Sequence, residues 1–433
     1  MLKNTDRTNG RFNIDDFYKN YLKGPHVFKN RDALDPSYIP EDLPHRDKEI
    51  EQIAEKTAVY LKGGTPSNFL CYGMTGTGKT ATIRYVSQKL AEHAKKDQPW
   101  WIYINCSIVS TPYRILAHIY NTIVGEEKIP PTGLPKDVIF KKLLGLLDYK
   151  VENSICFLVL DEIDLLKNNN EVLYDLTRLN ESLDSCRTCL IGISNQLNFK
   201  ENLDPRAMSS LGKDHITFPV YDAKELGDIL RSRASIAFAD DVLKEGVISL
   251  CAALAAKENG DARKALQLLR KAGEIAERSH NKKVSREHVK KAQEELEREK
   301  EIDYIKGMPL QSQLVLTAIY LISKYSKERV IVSGDIYEVH MELTNKLPGT
   351  RTLSRRRISD YINDLTLAGV ISAKKRSMGY YGRTKIIQLN IEMSLLESIL
   401  AQIKKIKNLL NYKPVLIQKN KVRLSNSTFK RLG

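Results

Sequence analysis

The eight residues Gly73-Met74-Thr75-Gly76-Thr77-Gly78-Lys79-Thr80 constrain this chain more than any others. An apolar run, 68–72, precedes them and a helix-compatible stretch follows, so the glycines sit where a strand must turn tightly into a helix. In that setting the backbone of Gly73, Thr75, Gly76, Thr77 and Gly78, continuing through Lys79, Thr80 and Ala81, forms an anion cradle whose N–H groups point inward. The helix start behind it adds a favourable dipole. Lys79 is expected to pair with β and γ phosphates and Thr80 to hold Mg²⁺, so the chain is expected to bind ATP or ADP.

A second apolar run, Phe157-Leu158-Val159-Leu160, suits a strand buried on both faces and ends in Asp161 and Glu162. An acidic pair alone often does no more than cap the next helix. Combined with the phosphate loop, it reads as the magnesium-holding and water-polarising pair, Asp161 for the metal and Glu162 for the attacking water.

Length and composition bound the rest. The 433 residues predict two or three domains, and 42% hydrophobic with 28% charged residues fits a globular protein. No apolar stretch reaches membrane-crossing length and the N-terminus lacks a signal-peptide core, so no membrane partner and a cytoplasmic, nucleoid-associated location are expected. Six scattered cysteines read as small buried hydrophobes in a reducing compartment. Cys186 and Cys189 form a C-x-x-C, but no second pair accompanies them and no metal site is expected there.

Charge is distributed unevenly. Residues 306–433 carry 23 Lys and Arg against 8 Asp and Glu, whereas residues 1–305 carry 45 of each, so the whole net +15 lies in the C-terminal part. A charge-balanced body followed by a cationic domain points to a polyanionic partner, most directly nucleic acid.

Periodicity supplies the organisation. Residues 1–30 read as a flexible arm and 31–220 as a parallel α/β domain: a helix at 47–61, strands at 101–105, 155–160, 190–194 and 215–220, and an added helical element between the second and third strands. Residues 221–305 read as a helical lid, 306–412 as a winged-helix DNA-binding domain and 413–433 as a basic polar tail. Within the winged helix, helices are expected at 310–324, 334–346 and 352–368. In the third, Ile358, Tyr361, Ile362 and Leu365 recur at core-facing spacing. The opposite face presents Thr352, Arg356, Ser359 and Asn363, with Arg355 and Arg357 on its flanks, a set suited to base edges and phosphates. Two strands, 370–375 and 385–389, flank a tip in which Arg376, Tyr380, Tyr381 and Arg383 are placed to reach DNA.

Further pieces follow in a fixed order: GISN ending in Asn195, LDPRAMSSLG containing Arg206, and GDARKAL containing Arg263. Together with GMTGTGKT, LVLDEID and the winged helix, they give a chain that resembles the AAA+ superfamily. Within it, the chain resembles the archaeal replication initiators related to the largest subunit of the origin recognition complex and to the cell-division-control helicase loader. The resemblance runs from Pro44-His45-Arg46 through the wing. It implies that Asn195 is the first sensor, orienting the attacking water, and Arg263 the second, that Tyr221 and Arg233 touch nucleotide, and that Arg206 is an arginine finger offered to a neighbour. It also implies slow ATP hydrolysis acting as a switch, origin duplex DNA, an MCM-type replicative helicase and paralogous initiators as partners, and DNA contacts from the added helical element. A transcriptional regulator or clamp-loader-like machine that carries a winged helix is the rival reading. The tail beyond Tyr412 departs from the family pattern and implies no role.

Overall fold

A computed structural model of the protein describes residue 14 and residues 26–94, 98–211, 214–326, 330–377 and 383–417. It comprises two compact units, Met1–Gln293 and Glu294–Gly433. Their boundary falls inside the helix Arg286–Gly307, upstream of the breaker at 306–309.

The first unit is built on five parallel strands, β1 (Phe69–Gly73), β2 (Trp100–Asn105), β3 (Ile155–Asp161), β4 (Arg187–Ser194) and β5 (His215–Phe218), in the order β2-β3-β4-β1-β5. Successive residues of a strand point to opposite faces, and here both faces are covered. Leu158, Leu160 and Leu190 pack towards helices Pro112–Val124 and Lys136–Lys150, whereas Phe157, Val159 and Ile191 join a cluster with Ile53, Ile83 and Val86 of helices Asp47–Ala58 and Lys79–His93. Pairing of Asn105 with Asp161, Tyr72 with Ser194 and Gly73 with Phe218 aligns the carboxyl ends of all five strands along one edge. Ligands of open α/β sheets bind beyond that edge.

Local chemistry moved several boundaries. The first helix stops at Ala58 and continues as a 3₁₀ turn, Val59–Lys62, that Gly63 terminates at φ 76°. The last strand ends at Phe218 and not at 220, because Pro219 has no N–H to donate to a ladder. Residues 26–30, assigned to the arm, are fastened down: Val27 is fully buried, Phe28 forms a bridge with Phe238, and the Lys29 N–H donates to the Ala237 carbonyl at 2.8 Å.

Helices Ala223–Ala237, Val247–Lys257 and Ala262–Arg278 follow the sheet. The first opens on a capping box in which Asp222 and Glu225 bond each other's backbone N–H. All six cysteines are free and buried. Burial pushes the thiols of Cys186 and Cys189 up to about 12, so neither is a nucleophile at neutral pH.

The second unit packs helices Leu310–Tyr325, Ser333–Asn345, Arg355–Leu367 and Met393–Gln402 around one core with a sheet ordered β6-β8-β7. Here β6 is Ile331–Val332, β7 Ile371–Ser377 and β8 Arg383–Leu389. The two-residue β6 had no periodicity to betray it. The stretch 394–412 is helical only to Gln402, followed by the 3₁₀ turn Lys407–Leu409.

Candidate functional site

The loop after β1 ends at Gly78, which N-caps helix Lys79–His93 at φ 90°. Gly76, at φ 77°, has no room for a side chain: a Cβ there would lie 1.8 Å from Asp261 Oδ1. Asp261 itself caps helix Ala262–Arg278 through the Arg263 N–H at 2.8 Å, and the Ala262 N–H donates to the Gly76 carbonyl at 3.2 Å. Lid and loop are therefore in direct contact. Lys79 is only 5% exposed, and its ammonium donates to the carbonyls of Gly73 and Met74 at 2.8 Å each. Burial lowers its pKa to about 8, with Asp161 opposing the shift and Arg263 adding to it.

At the end of β3 the Thr80 hydroxyl donates to Asp161 Oδ2 at 2.7 Å, while Asp161 Oδ1 accepts the Glu162 N–H at 2.9 Å. Glu162 adopts a left-handed backbone at φ 56°, an uncommon conformation for a residue with a side chain and one that clusters at functional sites. Asn195 follows directly on β4, where its N–H and the Ser194 hydroxyl both donate to Asp164 Oδ1, at 3.0 and 3.1 Å. Asp164 thus orients the Asn195 turn. It stood inside the LVLDEID motif, yet the sequence gives no sign that it reaches the next strand.

Lys79, Thr80, Asp161, Glu162, Asn195 and Arg263 converge on one cavity of about 90 Å³, with Gly76, Gly78 and Asn105 completing the wall. A wider cleft of about 360 Å³ reaches Gly76, Gly78, Thr80, Ala81 and Asp161 as well, and one side is formed by 36–40 and 42–44. Tyr221, Ile229, Arg233, Arg263 and Leu266 form the other. Arg233 lines the cleft, but its terminal nitrogens donate to the carbonyls of Tyr38 and Asp35 at 3.0 and 2.9 Å, so it also holds the opposite wall in place. Thr75 lies at the exposed outer turn of the loop. Arg206 is exposed on helix Pro205–Leu211 and lines neither cavity.

In the second unit, Ile358, Ile362 and Leu365 are buried and Arg355, Arg356, Arg357 and Asn363 are exposed, as the spacing predicts. Thr352 requires correction. The helix begins at Arg355, because the Ser354 hydroxyl caps it by accepting the Arg357 N–H, and Thr352 lies in the extended run before it. Ser359 and Asn363 are not independent groups: Lys385 of β8 donates to Ser359 Oγ at 3.0 Å and to Asn363 Oδ1 at 2.7 Å. Lys385 was missed because nothing in its own strand reveals the helix across from it. Arg355 stacks over the Tyr337 ring at 5.1 Å. Arg376 and Arg383 occupy the ends of the two wing strands, paired with Thr384 and Ser377. Tyr380 and Tyr381 lie outside the described residues.

Residues 62–199 match the AAA domain, 227–294 the Cdc6 AAA+ ATPase-type lid domain and 303–398 the CDC6 C-terminal winged helix domain. An ORC1-type DNA replication protein of Pyrococcus furiosus is 47% identical over 393 residues, spanning 89% of this chain and 93% of the relative. The chain belongs to the ORC1-type DNA replication proteins. ORC1-type DNA replication protein 1 of Methanosarcina acetivorans is 41% identical over 411 residues, covering 94% of this chain and 98% of its own. Among solved structures, the Aeropyrum pernix ORC1 protein in complex with DNA superposes with a TM-score of 0.76 at 40% identity, over 89% of this chain and 99% of that one. Cdc6p from Pyrobaculum aerophilum gives 0.56 at 26% identity, over 89% of this chain and 100% of that one. The fold is therefore an AAA+ ATPase base with its lid, followed by a winged helix. Among the described residues no helix is long and apolar enough to cross a membrane.

Proposed function

We propose that this chain is an ATP-governed replication initiator that recognises origin duplex DNA through its winged helix and helps to recruit the replicative helicase. The observation that carries the reading is the convergence of Lys79, Thr80, Asp161, Glu162, Asn195 and Arg263 on one small cavity, in a chain whose net positive charge lies in residues 306–433, within the other unit. The donor set suits a magnesium-bound triphosphate: a buried ammonium, a lid guanidinium and a glycine backbone for the phosphates, and a hydroxyl–carboxylate pair for the cation. Mg²⁺ held by Thr80 and Asp161 would supply charge neutralisation at the phosphate oxygens.

Each residue then has one task. Lys79 binds the phosphates, Glu162 accepts a proton from the attacking water, Asn195 orients that water, and Arg263 lets the lid read the γ-phosphate position. Tyr221 and Arg233 wall the site that holds the rest of the nucleotide. Arg206, exposed and outside its own chain's cavity, is placed to serve a neighbouring initiator, whether another copy or a paralogue. An arginine finger supplied in trans contributes on the order of 10³ to 10⁵ in rate. The isolated chain therefore hydrolyses ATP slowly, below about 1 s⁻¹, and serves as a timer rather than a motor.

For DNA, the support is the exposed basic helix Arg355–Leu367 beside the wing, and the DNA complex of the Aeropyrum pernix relative. Footprinting on genomic DNA with ATP and with ADP tests the whole reading. Nucleotide-dependent protection of repeated elements near a replication origin is expected; protection of scattered promoters would make the chain a transcriptional regulator.

A further inference from the structure

Arg46 is 2% exposed, and all three of its nitrogens are engaged. Nε donates to the Thr77 carbonyl at 2.9 Å, Nη1 to the His45 carbonyl at 2.8 Å and Nη2 to the Pro219 carbonyl at 2.7 Å. The guanidinium lies over the Tyr221 ring, 3.7 Å from its centroid. A buried cation is costly unless its donors are satisfied, and here carbonyl dipoles and an aromatic face do so. Those partners belong to different working parts. Thr77 is in the phosphate loop, while Pro219 and Tyr221 lie in the link between β5, which ends at Phe218, and the first lid helix, which starts at Ala223. The packing is tight on the loop side as well, since a Cβ on Gly78 would come within 2.9 Å of the Tyr221 hydroxyl. One residue earlier, His45 Nε2 lies 2.9 Å from Asp228 Oδ2 on that same lid helix. The chain entering helix Asp47–Ala58 thus ties loop, hinge and lid together at adjacent positions.

The geometry points to Arg46 as a positioning residue that couples the phosphate loop to the lid: displacement of the Thr77 carbonyl when nucleotide binds moves the guanidinium, which sets the hinge at Pro219 and Tyr221 and so the angle at which the lid presents Arg263. This rests on the ATP reading above. A passive brace would need only the buried charge and its volume. Coupling needs the planar fork, because a lysine ammonium has one nitrogen and no flat face with which to reach three carbonyls and stack on a ring.

The test uses the full chain with Arg46→Lys and Arg46→Gln. Thermal stability, affinity for fluorescent ATP and ADP analogues, and single-turnover hydrolysis at saturating Mg-ATP are measured. Arg46→Lys is expected to hold ADP-analogue affinity within about threefold yet slow the saturated step by roughly tenfold or more, the signature of an interaction made on the way to the transition state. Arg46→Gln, whose single amide nitrogen cannot join three carbonyls either, is expected to do the same. A saturated rate within about twofold of the parent, or equal weakening of both nucleotides at unchanged rate, marks a brace and overturns the proposal. Should Arg46→Lys fail to fold, Arg46→Gln decides: a slowed saturated step at held ADP-analogue affinity sustains the coupling and a parental rate ends it. Parental protein that binds neither analogue would instead overturn the ATP reading, and this proposal with it.

Discussion

Thr80 and Asp161, 81 positions apart, are joined by a 2.7 Å hydrogen bond from hydroxyl to carboxylate. The bond spans two elements, since Thr80 belongs to the helix after β1 and Asp161 ends β3, with β4 lying between those strands. A hydroxyl and a carboxylate brought this close by separate elements make a ready pair of oxygen ligands for a small hard cation.

From that pair follows the first prediction. Asp161→Asn keeps the shape and the Thr80 contact but removes the charge, so nucleotide affinity in chelator should stay near the parental value. Magnesium-supported turnover should fall on the order of 10²-fold, the scale of losing one preorganised electrostatic contact. Titrating Mg²⁺ into the nucleotide-bound variant checks this, and an undiminished magnesium response would place the metal elsewhere.

Lys79 gives a pH signature. Its folded pKa, lowered by burial to about 8, should rise again when phosphate oxygens neutralise it. Binding should then take up a proton above pH 8 and little below pH 7, and affinity should fall by up to about tenfold per unit above pH 8. Calorimetry in buffers of different ionisation heat measures the uptake directly. Lys79→Arg, which stays charged throughout, should abolish it.

The winged-helix core carries a second titration. His340 is fully buried, its Nε2 lies 2.9 Å from Gln311 Oε1, and desolvation lowers its pKa to about 4. Because the folded pKa lies below the unfolded value, the unfolded chain binds the proton first as pH falls. The stability of this unit is therefore complete above about pH 7 and is lost progressively towards pH 4, by up to about 3 kcal/mol. Urea unfolding at pH 7 and pH 4.5 should show this loss in the parent and a smaller one in His340→Gln.

Much of the sheet edge where the candidate residues converge was legible because it is written locally. Glycines required by a tight loop, carboxylates that end an apolar strand and an asparagine after GIS each declare their position by their immediate neighbours. Arg46, Asp164 and Lys385 were not legible as functional groups. Each acts through a partner brought near by the fold, the Thr77 and Pro219 carbonyls, the turn at Asn195, or the side chains of Ser359 and Asn363, and no spacing rule connects them. Only the helical placement of Thr352 was wrong, for the opposite reason: periodicity extrapolated the helix back to it, and the Ser354 cap starts the helix after it.

Lys385 offers the sharpest test of the surface proposed above to meet DNA. By donating to Ser359 and Asn363 it fixes two side chains that face outward from helix Arg355–Leu367, and it joins that helix to the wing. A lysine that only touched phosphate would add about one unit to the salt dependence of log K and weaken every sequence alike. A lysine that orients Asn363 should matter for base discrimination, since a well-placed amide contact distinguishes bases by about 1–3 kcal/mol. Lys385→Met is therefore expected to lose most of the preference at one or two base pairs while nonspecific affinity and salt slope change little. Binding isotherms on origin and scrambled duplexes across a salt series separate the two cases, and a uniform loss with a shallower slope would recast Lys385 as a phosphate contact.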